Sequence, residues 1–358
     1  MAYTTIDNPA LFFETLTWTG DGTSPRTLSG LQFQPDWVWG KRRDDAAGHN
    51  IFDSVRTAGS DKNVQSNSNG TEGSGSPGSY GYLSAFTSDG FTVTAGSSDN
   101  AYWNNNTATY VSWNWLAGGA TSSNGDGSIT SNVSVNSTSG FSIVSYVGGG
   151  ASSATVGHGL GATPAMIIIK NRQNDPEWRV WHQDLSGSTY KVSFNSTGAQ
   201  DSSSTVFNGQ SSTTFTVGSD PSVSGSGNNI IAYCFKEVKG YSKFGGYTGN
   251  GNADGTFVYT GFRPAFVMTK RTDSTSGWII RDNKRDTFNP SQTSLYPNAT
   301  TADDTSGGAS YYLDFLSNGF KFRGSGTAFN ASSGSYIYMA FAEHPFVTEG
   351  TKAAGTAR

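Results

Sequence analysis

The sequence predicts an all-β protein built from three tandem antiparallel β-sandwich units. Short runs rich in Val, Ile, Thr, Tyr, Phe and Trp, bounded by turn residues, recur along the chain, as in sandwiches and barrels. Gly, Ser, Thr and Asn fill the connections, where they favour turns. The 358 residues include 46 glycines and 22 phenylalanines, and no stretch shows a helical period. We therefore expect short strands whose aromatic side chains fill the core.

An internal repeat supports the division into three. The segments PDWVWGK at 35–41, PAMIIIK at 164–170 and PAFVMTK at 264–270 each begin with proline and end with lysine. Self-similarity at a fixed period indicates one structural unit used several times.

Further features recur around each of these segments in the same order. Upstream lies an aromatic residue followed by a glycine turn, and downstream lie an asparagine and a closing aromatic strand. The aromatic residues are Trp18, Tyr146 and Tyr247, the asparagines are Asn67, Asn195 and Asn298, and the closing strands cover 110–115, 230–235 and 336–341. The predicted units are 15–118, 141–240 and 241–346, each with about the length of one domain.

Three segments lie outside the units or their strands. We expect the N-terminal arm 1–14, with its apolar residues 11–13, to pack on the first unit or on a neighbouring subunit. The Gly/Ser-rich linker 119–140 predicts flexibility between units one and two, although its alternation at 129–135 could add a short strand. Units two and three adjoin directly and should move as a rigid pair. Residues 70–80 have the composition of a mobile loop tip, and 347–358 form a C-terminal tail.

Composition argues against several classes of protein. The net charge is −4 with 14% charged residues, which offers no basic face for nucleic acid. Cys234 is the only cysteine, so neither a disulfide within the chain nor a cysteine-based zinc site is expected. No apolar run approaches the length of a membrane span. The first ten residues lack the basic and apolar regions of a signal peptide.

Signals for catalysis or metal binding are weak. There is no G-x-S-x-G sequence, and the four histidines lack the spacing of a metal site. A glycosidase would need two neighbouring carboxylates. Asp53 and Asp282 are the candidates, but each has an arginine three residues later, Arg56 and Arg285, which predicts a local salt bridge instead. His182 replaces the aspartate in unit two. We predict no enzyme activity, no cofactor and no metal.

Two further patterns allow alternative interpretations. Lys41, Lys170 and Lys270 end equivalent strands, where each could hold an acidic residue such as Asp282 or contact a sugar acid or phosphate. The segment GNGNADG at 249–255 resembles the start of a calcium loop but lacks the glutamate at position twelve, so we interpret it as a hairpin turn.

Aromatic residues provide the candidate binding site, because exposed rings form platforms for sugars. Two tryptophan pairs alternate along strands, which predicts one face of a sandwich core: Trp37 with Trp39, and Trp113 with Trp115. Trp103 instead lies in the loop AYWNNNT, and its sequence context fits an exposed ring and a buried ring equally well. The candidate glycan contacts are Trp103, Tyr102 and Asn104.

The chain resembles a family of tailed-bacteriophage virion proteins that is common among marine phages and carries this domain in tandem. The matching sequences lie at 1–13, 34–43, 52–56, 88–93, 111–119 and 338–346. The resemblance covers essentially the whole chain. It implies lectin-like, jelly-roll-type sandwiches in tail fibres, spikes or head decorations, and homo-oligomers that are often trimers. It brings no catalytic residues with it.

These observations together predict a non-enzymatic virion structural protein, made in the host bacterial cytoplasm. We expect a tail-fibre or spike component whose loops contact host surface polysaccharide and whose arm 1–14 anchors it to other virion proteins. One alternative is a head decoration protein that clamps capsid subunits. The other is a glycan-degrading virion enzyme. Nucleic acid is not an expected partner.

Overall fold

The computed structural model describes residues 4–174 and 176–347. Within these ranges the fold is all-β, as predicted, and its helices are single turns. The 3-10 turns are Pro9–Leu11 and Gly308–Tyr311, and the α-helices are α1 (Pro77–Tyr80), α2 (Pro221–Ser224) and α3 (Thr327–Asn330). No helix in the described ranges is long and apolar enough to cross a membrane. Residues 1–3 of the predicted arm and 348–358 of the predicted tail lie outside the described residues.

The strands fall into three segments of the chain. The first segment contains β1 (Phe13–Thr19), β2 (Arg26–Ser29), β3 (Trp37–Arg42), β4 (Asn50–Asp53), β5 (Val64–Gln65), β6 (Tyr82–Thr87), β7 (Gly90–Thr94) and β8 (Thr109–Trp115). The second contains β9 (Ser122–Asn124), β10 (Ser131–Asn136), β11 (Phe141–Val147), β12 (Ala154–Gly157), β13 (Met166–Asn171), β14 (Arg179–His182), β15 (Tyr190–Ser193), β16 (Asp201–Ser202), β17 (Phe207–Gln210), β18 (Thr214–Val217) and β19 (Asn229–Phe235). The third contains β20 (Ser242–Thr248), β21 (Phe257–Tyr259), β22 (Phe262–Arg271), β23 (Trp278–Asp282), β24 (Leu313–Leu316), β25 (Gly319–Phe322) and β26 (Ser335–Pro345).

Each segment forms one larger and one three-stranded antiparallel sheet. The larger sheets have the orders β1-β8-β3-β4-β5, β16-β15-β14-β13-β19-β11-β10-β9 and β20-β26-β22-β23. The smaller sheets have the orders β2-β7-β6, β12-β18-β17 and β21-β25-β24. In every segment the strand that contains the proline-to-lysine sequence pairs with the closing aromatic strand, for example Trp37 with Trp115. These two strands lie at the middle of the larger sheet.

The central strands are buried on both faces, which explains their continuous apolar sequences. One face packs against the three-stranded sheet of the same segment, as Val38 packs with Leu28, Leu83 and Phe91. The opposite face contributes to a core that all three segments share. All four tryptophans predicted for the core, Trp37, Trp39, Trp113 and Trp115, are at most 1% exposed, so that prediction is confirmed.

The shared core joins the three larger sheets into one body. Trp37 stacks on Tyr233 of the second segment with ring centroids 4.6 Å apart. Phe13 stacks on Phe341 of the third segment at 4.9 Å, and Phe235 contacts the same ring at 6.1 Å. Each segment therefore buries its large aromatic side chains against the other two. Because such burial dominates core energetics, the three segments stabilise one another.

Loops at the outer boundaries connect each segment to the next in a closed ring. At each junction a backbone N–H of one segment donates to a backbone carbonyl of the next. These bonds are Glu72 to Arg172 (2.9 Å), Gln200 to Thr272 (2.8 Å) and Asp303 to Arg43 (2.7 Å). The third bond returns from the last segment to the first, so the ring is closed within one chain.

Residues 119–140, which were expected to form a flexible linker, contain two β-strands. Strands β9 and β10 lie inside the range 119–140 and extend the larger sheet of the second segment. Val133 is 2% exposed. Just before the linker, the Ala117 N–H donates to the Asp36 carboxylate at 2.8 Å. The alternation at 129–135 therefore forms a strand, β10, as the sequence allowed. Residues 122–124 and 131–136 are paired strands and not the free linker that the glycine and serine content predicted.

The N-terminal arm packs on the third segment of its own chain. Ile6 is 2% exposed and belongs to the shared core. The Phe12 ring contacts Tyr241 with centroids 6.0 Å apart. The arm also contacts the first segment, because Asn8 Nδ2 donates to Gln32 Oε1 at 3.0 Å and the Leu116 N–H donates to the Phe12 carbonyl at 2.9 Å. The expected packing on the first unit is therefore confirmed, and the third segment is an additional surface that the sequence did not predict.

Candidate functional site

Trp103, one of the three predicted glycan contacts, lies in the core. Its side chain is fully buried against Phe52 and Phe91, and its backbone carbonyl accepts a 2.9 Å hydrogen bond from Trp18 Nε1. A Cβ added to Gly40 would meet the Trp103 ring at 2.3 Å, so this ring fills the space that Gly40 leaves. An exposed contact at Trp103 was therefore the wrong interpretation.

Asn104 holds a loop in place. The side chain is buried, and its Nδ2 donates to Asp21 Oδ1 and to the Thr23 carbonyl, both at 2.8 Å. It thereby fixes the connection between β1 and β2. Asn104 is not available as a surface ligand contact.

A matching arrangement occurs at the segment that resembles a calcium loop. Asn330 Nδ2 donates to Asn250 Oδ1 at 3.0 Å and to the Asn252 carbonyl at 2.9 Å. The loop 249–255 is a turn, as predicted, but it joins β20 and β21 of two different sheets and is not a hairpin.

Tyr102 remains accessible and pairs with an aromatic residue that the sequence reading missed. Tyr102 is half-buried, and its hydroxyl donates to the Gly75 carbonyl at 2.6 Å. Its ring lies 5.4 Å from that of Tyr80, at an interplanar angle of 56°. Tyr80 ends α1 and is 40% exposed. Tyr80 was not predicted as a binding residue, because it lies in the Gly/Ser-rich segment 70–80, which was expected to be mobile.

The tyrosine pair lines a cleft of about 360 Å³ that lies between the first and third segments. We call this the Tyr80–Tyr102 cleft. Arg42, Asp45 and Asp99 supply its charged groups, and Thr300 closes it from the third segment. The rings offer apolar faces, the carboxylates accept hydrogen bonds, and the guanidinium donates them. This combination suits a ligand with many hydroxyl groups.

Ion pairing keeps the cationic side of the cleft charged. Arg42 Nε donates to Asp44 Oδ1 at 3.1 Å, and this bond raises the pKa of Arg42. Burial raises the pKa of Asp44, but the bonds from Arg42 and from the Thr109 N–H outweigh it, so the net pKa is lowered. Asp45 is 64% exposed at its side chain and stays open to a ligand.

A second exposed aromatic surface lies on β21. Phe257 and Tyr259 are 44% and 55% exposed, and Tyr259 borders a separate cleft of about 550 Å³ together with Lys239 and Lys243. The equivalent strand of the first segment carries Thr27 and Ser29 at these outward positions. The alternation of two aromatic residues around Val258 is the sequence pattern that could have predicted this exposed surface.

The D-x-x-R pairs are buried salt bridges, as predicted. Arg56 Nε contacts Asp53 Oδ2 at 2.5 Å, and Arg285 Nε contacts Asp282 Oδ2 at 2.6 Å, with all four side chains fully buried. The same carboxylate oxygens also join segments, because Tyr233 Oη donates to Asp53 at 2.7 Å. The carboxylates therefore lack the open groove that a glycosidase pair needs.

His182 occupies the position of Asp53 and Asp282 in the second segment, and it also bonds a neighbouring segment. Its Nδ1 accepts from the Asp184 N–H at 3.1 Å, so Nε2 carries the proton and donates to the Tyr338 carbonyl at 3.1 Å. Burial lowers the pKa of His182 to about 4. The neutral imidazole is thus a fixed donor between the second and third segments.

The three equivalent lysines are buried and bind backbone carbonyls. Lys170 Nζ donates to Asn69 at 2.5 Å, and Lys270 Nζ donates to Thr197 at 3.3 Å, in each case across a junction to the preceding segment. Burial lowers the pKa of Lys41 and of Lys270 to about 8. Because all three side chains are buried, these cations are not available as surface contacts for a sugar acid or phosphate.

Within residues 4–174 and 176–347, no group of three or more His, Cys, Asp or Glu side chains could hold a metal ion.

The sheets and the cleft define an all-β protein of packed antiparallel sheets with a polar, aromatic-lined surface pocket. Within that class, the chain belongs to the family described as a domain of unknown function, DUF7483, whose model matches residues 8–345. No curated protein and no solved structure matches the chain. The match spans all three segments.

Proposed function

We propose that this protein is a structural component of a bacteriophage virion, a tail-fibre or spike subunit that contacts host surface glycans through the Tyr80–Tyr102 cleft. The observation that carries the glycan contact is the exposed ring of Tyr80 beside Tyr102, with Asp45, Asp99 and Arg42 around them. The proposed location rests on the resemblance of the sequence motifs at 34–43, 52–56 and 338–346 to those of tailed-bacteriophage virion proteins. Synthesis in the host cytoplasm and a non-enzymatic role belong to the same proposal.

The proposal includes three repeats of a lectin-like, jelly-roll-type sandwich. Equivalent hydrogen bonds in the three segments support it, because an aromatic side chain of the first strand of each repeat donates to a backbone carbonyl just before the closing strand of that repeat. These bonds are Trp18 to Trp103 (2.9 Å), Tyr146 to Val223 (2.7 Å) and Tyr247 to Phe329 (2.9 Å). The proposed repeat boundaries are those of the sequence, 15–118, 141–240 and 241–346.

Sugar chemistry fits the cleft better than other small ligands. A pyranose ring presents an apolar face of C–H groups to an aromatic ring, while its hydroxyls donate to carboxylates and accept from a guanidinium. The side chain of Asp45 is 64% exposed, so a ligand reaches it without displacing a buried partner.

Binding of the purified protein to host surface polysaccharide tests the glycan contact. Tyr80→Ala removes the exposed face, and we expect at least a tenfold loss of affinity, which corresponds to about 1.4 kcal/mol. Tyr259→Ala is the matched control, since it removes an exposed tyrosine at a different cleft. Equal binding by wild type and Tyr80→Ala, or a loss caused only by Tyr259→Ala, would overturn the assignment of this cleft.

One observation favours head decoration as the second candidate. The ring of three similar segments places threefold-like symmetry within a single chain, as the junction bonds at Arg172, Thr272 and Arg43 illustrate. Such a body could bind at a threefold position of a capsid lattice without a homotrimer. Binding to empty heads in preference to host cells would select this candidate.

A further inference from the structure

We propose that a cavity at the junction of the third and first segments binds a small neutral polyol, the class that contains monosaccharides and sugar alcohols. The cavity has a volume of about 240 Å³ and is separate from the Tyr80–Tyr102 cleft. It lies between the free edge of β1 and the residues that follow β23, with Asn8 and Ala10 of the arm on one side. A water molecule occupies about 30 Å³ of liquid, so the space exceeds that of one or two waters.

Three residues that line this cavity each carry a buried polar atom that lacks a partner. Thr15 and Asn283 are 4% and 2% exposed, and both contribute to the lining. Thr15 Oγ1, Asn283 Oδ1 and Glu14 Oε2 are buried atoms without a hydrogen-bond partner. Leaving a buried polar group unsatisfied costs roughly 1–3 kcal/mol, so a ligand that donates to these oxygens gains that free energy on binding.

The equivalent junction between the second and third segments shows how the space can be closed. Gln183 follows His182 as Asn283 follows Asp282. Gln183 Nε2 donates to the Phe244 carbonyl at 2.7 Å and so spans the gap to the edge of β20. Asn283 is one methylene shorter than Gln183, so its amide reaches less far toward the neighbouring strand.

Register confirms that the two positions correspond. Thr15 pairs with Trp113 of the closing strand in the first segment, and Phe244 pairs with Met339 of the closing strand in the third. Trp113 and Met339 each lie two residues before the last aromatic residue of that strand. Asn283 thus faces Thr15 across a gap that a longer amide fills at the other junction.

The charges around the cavity favour a neutral ligand. Burial raises the pKa of Glu14, the opposite charge of Lys284 lowers it in part, and the Gln32 backbone also hydrogen-bonds the carboxyl group. An anion would meet Glu14 and Glu343, and a cation would meet Lys284. A hydroxyl-rich molecule donates to the three acceptor oxygens and accepts from the Thr15 hydroxyl without bringing a charge.

Thermal unfolding of the full chain in increasing glucose or mannitol tests this inference. Polyols raise the stability of most proteins nonspecifically, so the comparison variant is Asn283→Gln, which reproduces Gln183 and places a longer amide in the cavity. We expect a saturable rise in Tm for wild type above the linear rise that both proteins share. Superimposable wild-type and Asn283→Gln curves would overturn the site and leave water as its occupant.

Two further measurements keep the inference testable if Asn283→Gln folds poorly. Thr15→Val removes one unpartnered hydroxyl at nearly constant volume and should weaken mannitol binding at least threefold in calorimetry. Methylammonium and acetate, tested as a small cation and a small anion, should not bind, and saturable binding of either would contradict the neutral class. Tyr80→Ala should leave the polyol signal unchanged, so failure of this site and failure of the glycan cleft are distinguishable.

Discussion

Glu72 and Arg172 form an ion pair across the boundary between the first and second segments, with 2.6 Å between Oε2 and Nη2. The other oxygen of Glu72 contacts Arg56 at 3.0 Å. Asp303 repeats this bridge between the third and first segments, because it contacts Arg285 at 2.9 Å and Arg43 at 2.8 Å. Two of the three junctions are therefore fastened by a carboxylate between two guanidinium groups.

Glu72→Gln should destabilise the whole protein. The substitution leaves Arg56 and Arg172 with less compensating charge at a site where Glu72 is only 13% exposed, and we expect a loss of about 2 kcal/mol. Glu177→Gln is the control, since Glu177 pairs with Arg179 but is 43% exposed, and it should cost less than about 1 kcal/mol. Urea unfolding measures both losses. Equal losses would show that the junction pair is no stronger than a surface pair.

Acidification should weaken the fold through His182. Burial lowers the pKa of His182 from its ordinary value of 6.5 to about 4. Between these values the unfolded chain binds a proton that the folded chain does not, so stability falls as pH falls. For this group the loss between pH 7 and pH 5 is about 2 kcal/mol. His182→Gln should remove that part of the slope in urea unfolding, and parallel stability profiles for the two proteins would contradict the assignment.

Trp103→Ala should destabilise the protein by about 3–5 kcal/mol, because it deletes a fully buried ring. Tyr259→Ala, which deletes a ring that is 55% exposed, should change the free energy of unfolding by less than about 0.5 kcal/mol. Trp103→Phe retains an aromatic side chain and should leave polysaccharide binding intact. A selective loss of binding in Trp103→Phe, with stability unchanged, would restore Trp103 as a ligand contact.

Asp53→Asn separates a structural role from a catalytic one. Removing the carboxylate charge leaves the fully buried Arg56 without its closest partner, which should cost about 3–5 kcal/mol. Asp89→Asn is the exposed control, outside the proposed cleft, and should have little effect on stability. Loss of a polysaccharide-cleaving activity at unchanged stability would instead favour the enzyme alternative.

Much of the local structure could be predicted because the repeated residues have repeated roles. The asparagines recognised in the sequence each accept a hydrogen bond from a backbone N–H at the start of the neighbouring strand or one residue before it. These bonds join Asn67 to His49 (2.7 Å), Asn195 to Trp178 (3.0 Å) and Asn298 to Trp278 (2.7 Å). Such local devices leave a signal at fixed spacing, and so do the buried tryptophan pairs and the D-x-x-R salt bridges.

The ring closure and the binding cleft could not be predicted in the same way. Glu72 and Tyr80 lie in a glycine-rich segment whose composition indicates a mobile loop, yet Glu72 is fixed by guanidinium groups from two segments. Trp103 stands among asparagines that suggest exposure, but Asn104 turns inward to bond the loop at Asp21 and Thr23. Contacts between distant parts of the chain decide these positions, and no local pattern encodes them.

Cryo-electron microscopy of intact virions tests the proposed function most directly. We expect density at the tail that fits three packed sandwiches in a closed ring, with the Tyr80–Tyr102 cleft facing outward. Density over the capsid lattice would contradict the tail-fibre proposal and select head decoration. The absence of any such density from the particle would contradict the virion assignment as a whole.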